Sequence, residues 1–324
     1  MRGKHTFKTT HQMRALTLFL TTLIFYTAPI SHADDSWFPS KYGAQDTLGA
    51  INNLSAEKVI EAANLVKTGK SYALGVETGP DSPAYPPRSY SMTVLQLDDG
   101  TGTPLGTNKA AGNDDLMNLW MGIGSQIDGL GHMGVNHVYY NGNKASEFVT
   151  PKGLSKLSID KLPPIVSRGV LLDIAKLKGV EILEEGTAIN AEDIKAAAQT
   201  ANVTIESGDV VLLHTGWLNV MTSDPERFMA GQPGLGLEGA RYLAELGVVA
   251  VGADNWALEV LPSENPSHAF PVHPELLAKN GVYILENMDT RALAQDGVTE
   301  FLFVLGQPRF VGAVQAVINP VAIH

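Results

Sequence analysis

Apolar residues fall into two regimes along this chain. From Ile165 onward they gather in short continuous runs, Ile165 to Ile174, Val210 to His214, Val248 to Val251 and Val282 to Leu285. Runs of this length, rich in Val, Ile and Leu and bounded by Gly or polar residues, predict strands buried on both faces, as in a parallel sheet. Between them, segments with helical periodicity run from Asn190 or Ala191 to about Ala201, from Leu237 to Leu246 with a stop at Gly247, and from His273 to Asn280. Thr299 to Leu305 and Gly312 to Ile318 predict two more strands, the second closing the chain. Alternating strands and helices predict an α/β protein. The first half is strand and loop. Ser55 caps a helix expected over Ala56 to Lys67, with Val59, Ala62, Ala63 and Val66 on its apolar face. Tyr72 to Val76 and Ser91 to Leu97 predict strands. Gly79 to Tyr90, with Pro80, Pro83, Pro86 and Pro87, predicts a long loop, as does Asp98 to Asn113. Val138 to Tyr140 followed by Asn141-Gly142 predicts a hairpin.

The amino end follows another logic. Residues 1–33 open with Arg2, Lys4, Lys8 and Arg14, continue through an apolar run from Ala15 to about Ile30, and close on Ser31-His32-Ala33. The run is too short, and too interrupted by Thr21, Thr22, Thr27 and Pro29, to span a bilayer comfortably, so the segment reads as a signal peptide cut before Asp34. The working domain is then 34–324, and the expected location is periplasmic or secreted. Cleavage removes four positive charges and no negative ones, taking the formal net charge from −11 to −15. That charge and the absence of any basic stripe exclude nucleic acid and disfavour a membrane surface. Having no cysteine, the chain has no disulfide and no thiolate chemistry.

The candidate chemistry sits in Gly124-Ser125-Gln126-Ile127-Asp128-Gly129-Leu130-Gly131-His132. In a strand, Gln126 and Asp128 point to one face. Gly129 and Gly131 are expected to permit a tight turn with backbone angles closed to other residues, returning His132 beside that pair. A carboxylate, an amide oxygen and an imidazole in one volume suit a divalent cation or general acid/base work, although the same residue types also serve as turn and capping residues. Glu286 ends the strand Tyr283-Ile284-Leu285 and faces the carboxyl edge of the sheet, where α/β folds place ligands, with His273 heading a helix thirteen positions earlier. His214 reads as a structural hydrogen-bonding residue, and His268 and His324 as exposed. Trp37, Trp217, Trp256, Tyr85 or Tyr90 offer an apolar wall for a ring. No nucleophile elbow, phosphate loop or dinucleotide fingerprint is present.

In order along the chain, Tyr42-Gly43-Ala44-Gln45-Asp46-Thr47-Leu48-Gly49, the Gly124 to His132 stretch, Arg168-Gly169-Val170-Leu171-Leu172-Asp173, Leu213-His214-Thr215-Gly216-Trp217, Val251-Gly252-Ala253-Asp254-Asn255-Trp256 and Ile284-Leu285-Glu286-Asn287 resemble the cyclase-family metal hydrolases, which include kynurenine formamidases (arylformamidases) and isatin hydrolases. The resemblance implies a swivelling β/β/α domain, a homo-oligomer, a small-molecule substrate, and hydrolysis of an amide, cyclic amide or lactone bond to a carboxylate. It implies that Asp128 is a metal ligand, that His132 is the proton-transfer residue, and that His273 and Glu286 occupy the downstream ligand positions. The signature's first two histidines fall on Gly122 and Gln126. A single Zn²⁺ or Mn²⁺ held by Gln126, Asp128 and His273 is therefore expected, with Glu286 beside it as ligand or catalytic group. The competing reading is a secreted protein of the same fold that binds a metal or small ligand without turnover.

Overall fold

The computed structural model describes Gly3 and residues 37–96 and 101–324; apart from Gly3, the proposed signal peptide lies outside the described residues. The main sheet is built, in chain order, from β1 (Ser71–Ala73), β4 (Gln126–Asp128), β5 (Ile165–Asp173), β6 (Val210–His214), β7 (Ala250–Ala253), β8 (Tyr283–Glu286), β9 (Glu300–Leu305), β10 (Gln315–Val317) and β11 (Val321–Ile323), while β2 (Tyr90–Gln96) and β3 (Asn113–Leu119) form a separate hairpin. The order across the sheet is β1-β11-β9-β5-β6-β7-β8-β4-β10. Its centre, β5-β6-β7-β8, is parallel, and every other pairing is antiparallel.

The continuous apolar runs became the parallel strands because both their faces are covered: every residue of β6 and β7 is buried. Among the helices that cover them are α1 (Ala56–Ala63), α2 (Ala191–Ala201) and α3 (Leu237–Leu246). Helix α3 buries Gly239, Ala240, Leu243 and Ala244 and ends on Gly247 at φ 80°, the left-handed conformation that glycine adopts without steric cost.

Four expectations need correction. Helix α1 keeps its cap, Ser55 Oγ accepting from Lys58 N at 3.1 Å, but stops at Ala63 and buries Lys58 with Ala62, leaving Val59 only half-buried. The reason is charge: Lys58 Nζ reaches inward to Asp209 at 3.2 Å and Glu206 at 2.7 Å. Strand β3 was not foreseen, since the loop was expected to run from Asp98 to Asn113 and no element was expected over 114–119; it pairs with β2 from Tyr90↔Leu119 to Gln96↔Asn113 in a hairpin whose strands are exposed along nearly all their length. Strand β11 follows β10 and seats the chain end between β1 and β9, so His324 is half-buried, its N–H donating to Lys70 O. Gly129 and Gly131 are not in the left-handed region; they are glycines for want of space. A Cβ on Gly129 would meet Val314 O at 2.8 Å, and one on Gly131 would collide with Leu154 Cδ1.

Among the described residues, no helix is long and apolar enough to cross a membrane.

Candidate metal centre

Strand β4 is placed between β8 and β10, and that position assembles the site. Gln126 pairs with Glu286, and Asp128 pairs with Ile284 on one side and Gln315 on the other. Directly paired residues point to the same face of a sheet, so Gln126, Asp128, Glu286 and Gln315 share one surface. Asp128 is fully buried. Its Oδ1 accepts from Gln126 Nε2 at 3.0 Å and from Gln315 Nε2 at 2.7 Å, whereas Oδ2 has no hydrogen-bond partner, and neither does the buried Gln126 Oε1. Two unpartnered oxygens in a dry site cost several kcal/mol unless something positive meets them.

The imidazoles face Asp128 Oδ2. His273 Nε2 lies 3.7 Å and His132 Nε2 4.0 Å from Asp128 Oδ2, and His273 Nε2 lies 3.3 Å from Glu286 Oε1. At 3.7 Å the Asp128–His273 approach is an ion-pair separation and not a hydrogen bond. Two donors on one cation, each about 2.1 Å from it, are about 3.4 Å apart in a tetrahedral site and at most about 4.2 Å apart in any geometry. The observed 3.7 and 4.0 Å fit that span, and the donor atoms of Asp128, His132 and His273 lie within 4.8 Å of one another.

Glu259 decides how His273 is used. Its Oε1 accepts from His273 N at 3.1 Å and stands 2.5 Å from Nδ1, and its Oε2 accepts from Val272 N at 3.1 Å. A carboxylate on Nδ1 keeps the proton there and turns the Nε2 lone pair toward Asp128 and Glu286, the arrangement that orients metal-binding histidines. The donors present therefore fit a divalent cation: one carboxylate oxygen without a partner, one amide oxygen without a partner, and an imidazole that Glu259 orients so that Nε2, once it gives up its proton, is the ligating nitrogen.

The same crowding sets the protonation states of the metal-free site. Burial pushes the Asp128 carboxyl up, but the His132 and His273 imidazoles outweigh it and bring it down to about 2. Burial, and then the charge of Asp128, push Glu286 up to about 8, with His273 and Arg88 partly offsetting them. Burial would lower His273, yet Asp128, Glu259 and Glu286 raise it well above the ordinary imidazole value. His132 is lowered, by burial first, with Asp128 opposing. One buried group is poised to release a proton and another to accept one.

The cluster opens into a cavity of about 180 Å³ lined by Tyr85, Arg88, His132, Trp256, Phe270 and Glu286, among others. Tyr85 stacks on Trp256 with ring centres 6.0 Å apart, and Phe270 packs edge-on against His273 at 5.8 Å. Of the aromatic candidates, Tyr85 and Trp256 reach the cavity. Trp217 instead centres a small core with Leu218, Val220 and Phe228, Trp37 lines a different groove, and Tyr90 belongs to the hairpin. His214 lies outside the cavity, its Nδ1 2.7 Å from Thr290 Oγ1 and 3.3 Å from Asp254 Oδ2, and His268 is exposed. Glu259, Gln315 and Arg88 escaped the sequence reading. Only Glu259 carried a signal, an acid enclosed by Ala257-Leu258 and Val260-Leu261.

A mixed sheet with an antiparallel strand beside the carboxyl ends of its parallel core, carrying a buried carboxylate–imidazole cluster, defines an α/β protein of the swivelling β/β/α class with a metal-capable centre. The Cyclase family model matches residues 53–260, and the chain belongs to that family. That span contains Gln126, Asp128, His132 and Glu259 and ends before His273 and Glu286. A solved structure described as a novel cyclase is 29% identical, with a TM-score of 0.79 over 88% of this chain and 98% of that one. Isatin hydrolase A from Ralstonia solanacearum (17% identity, TM-score 0.61, 84% of this chain and 98% of that one) shares the fold. So does isatin hydrolase A from Labrenzia aggregata, solved with benzyl benzoate (18%, 0.59, 78% and 93%). No curated protein sequence matches.

Proposed function

We propose that this protein is a metal-dependent hydrolase that opens an amide, cyclic amide or lactone bond and releases a carboxylate, an activity of the arylformamidase kind. The observation that carries the reading is the buried, unpartnered Asp128 Oδ2 facing a histidine whose other nitrogen is held by Glu259, with the Gln126 amide oxygen on the same sheet face also unpartnered. The naming of fold neighbours as isatin hydrolases and as a metal-dependent hydrolase supports it. Asp128 and His273 hold one cation with Gln126, and Glu286 stands beside them. Mn²⁺ and Zn²⁺ both suit this mixture of oxygen and nitrogen donors. When bound, the ion supplies Lewis acidity, which lowers the pKa of water and polarises a carbonyl. His132, at the longest separation in the cluster and partly open to the cavity, takes the proton and returns it to the leaving group. Tyr85, Trp256 and Phe270 wall in the rest of a small substrate.

Metal analysis of the purified protein together with a panel of amides, cyclic amides and lactones tests the reading. One ion per chain and turnover of a panel member are expected. Two tightly held ions refute the single-cation assignment, and bound metal without turnover of any substrate favours the binding-protein alternative. We further propose that residues 1–33 are removed on export to the periplasm or medium, leaving 34–324 as the working domain. Mass spectrometry of the mature chain checks this, an amino terminus at Asp34 being expected. The exposed apolar residues of the β2–β3 hairpin and its flanks, Met92, Val94, Leu116, Met117 and Trp120, support a homo-oligomer.

A further inference from the structure

Arg88 lines the cavity and rests on the buried Gly122 in a way that neither cation binding nor proton transfer requires. A Cβ built on Gly122 would lie 2.5 Å from Arg88 Nη1 and 2.6 Å from Cζ, and Nη1 donates to Gly122 O at 2.6 Å. Gly122 is not in the left-handed region, so glycine is needed here for space. The guanidinium occupies the volume of the missing side chain. Arg88 itself comes from the proline-rich 79–90 segment, is half-buried, and lines the cavity with His132 and Glu286, and its charge is felt by both. Among the described residues it forms no ion pair with a carboxylate. A guanidinium fixed by one carbonyl and, among the described residues, without another hydrogen-bond partner or a paired carboxylate is a receptor for an anion.

The size and walls of the cavity say which anion. A dry cavity of about 150 Å³ is enough to admit benzene, and this one measures about 180 Å³ beneath Tyr85, Trp256 and Phe270. Trp256 Nε1 is a further buried donor without a partner. We propose that Arg88 is the specificity-determining residue of this site and that it receives the carboxylate of a monocyclic aromatic acid, the acid released by hydrolysis. This rests on the hydrolase reading for the origin of the carboxylate; the recognition itself rests on the geometry of Arg88 and Gly122.

The test is calorimetric titration of the manganese-loaded full chain with benzoate and with its neutral isostere benzamide, for wild type, Arg88→Met and Gly122→Ala. Wild type is expected to prefer benzoate, and Arg88→Met to bind benzoate about tenfold or more weakly with benzamide unchanged, since a charge-assisted pair is lost. Gly122→Ala keeps the arginine but puts a methyl group where its guanidinium lies, so the same loss is expected from a protein that still contains Arg88. Metal content should be unchanged in both variants. Equal benzoate affinity in wild type and Arg88→Met, or no preference for benzoate over benzamide in wild type, overturns the proposal. Failure of the hydrolase reading looks different: Arg88-dependent benzoate binding would persist while no amide or lactone is turned over.

Discussion

Replacing Glu259 by Gln perturbs the point on which His273 is fixed. Glu259 is fully buried and uses both oxygens, Oε1 on His273 N and Nδ1 and Oε2 on Val272 N. In glutamine one oxygen becomes an NH₂, which sets donor against donor wherever it is placed. The least damaging orientation keeps the oxygen on His273 and turns the NH₂ to Val272 N–H. A buried donor left without an acceptor costs about 1–3 kcal/mol, which for a chain of this size lowers the melting temperature by roughly 2–5 °C. Separately, loss of the charge on Nδ1 makes Nε2 a weaker donor, and removal of such a partner weakens metal binding by about 10- to 100-fold. Stripped wild type and Glu259→Gln, each titrated with Mn²⁺ against a chelating competitor, measure the second effect, and thermal denaturation of the stripped proteins measures the first. A variant that melts lower yet binds the ion as tightly as wild type would refute the placing of His273 Nε2 on the cation.

Other perturbations separate the remaining roles. Asp128→Ala and Asp128→Asn are expected to empty the site, whereas His132→Ala should keep the metal and lose about 10²- to 10⁴-fold in rate; a metal-free His132→Ala protein would make His132 a ligand. In the metal-free protein Glu286, raised to about 8, and His273, raised well above its ordinary value, carry protons that an incoming cation must displace. Apparent metal affinity should therefore climb as pH rises through neutrality to about 8. Titration near neutral pH in buffers of different ionisation enthalpy should show proton release, and its absence would contradict the assignment. Both shifts also mean that the folded metal-free chain holds protons the unfolded chain has already lost, so the stability Glu286 contributes should fall as pH rises from about 4.5 to about 8, and that from His273 should fall as pH rises above 6.5. Arg168→Ala removes the fork that meets Asp209 through Nε at 3.0 Å and Nη2 at 2.6 Å, leaving a fully buried carboxylate to Lys58 Nζ at 3.2 Å and the Glu206 N–H, which donates to Oδ2 at 2.7 Å. A loss of about 3 kcal/mol is expected in urea denaturation, and a loss below about 1 kcal/mol would show that Lys58 and the Glu206 N–H suffice.

How much could be read in advance depended on how local the cause was. The parallel core was legible because strands buried on both faces must be continuously apolar, as Val210–Leu213 is. The Gln126–Asp128 pair was legible because alternation in a strand is a two-residue property. Glu259 and Gln315 were not, because their meaning lies in what they touch across the fold, 14 residues away in one case and 187 in the other. The β3 strand was hidden because its solvent-facing residues have no core to select them. The glycines at 129 and 131 were noticed for the wrong reason: crowding by Val314 and Leu154 is invisible in a sequence, whereas turn propensity is not.

Strand β4 lies between partners drawn from the far end of the chain, β8 on one side and β10 on the other. Closing loops of that length costs entropy before any contact repays it, so pairings of this separation form late in folding. A nascent chain that has not yet released β8 and β10 has an Asp128 but not the cluster around it. On the proposed reading a cation can be held only once those strands have paired with β4, wherever that happens, and selection among divalent metals then follows their availability there. Metal identity is thus decided in part by the place and timing of maturation, so protein refolded with Mn²⁺ and protein refolded with Zn²⁺ should differ in content even when their coordinates do not.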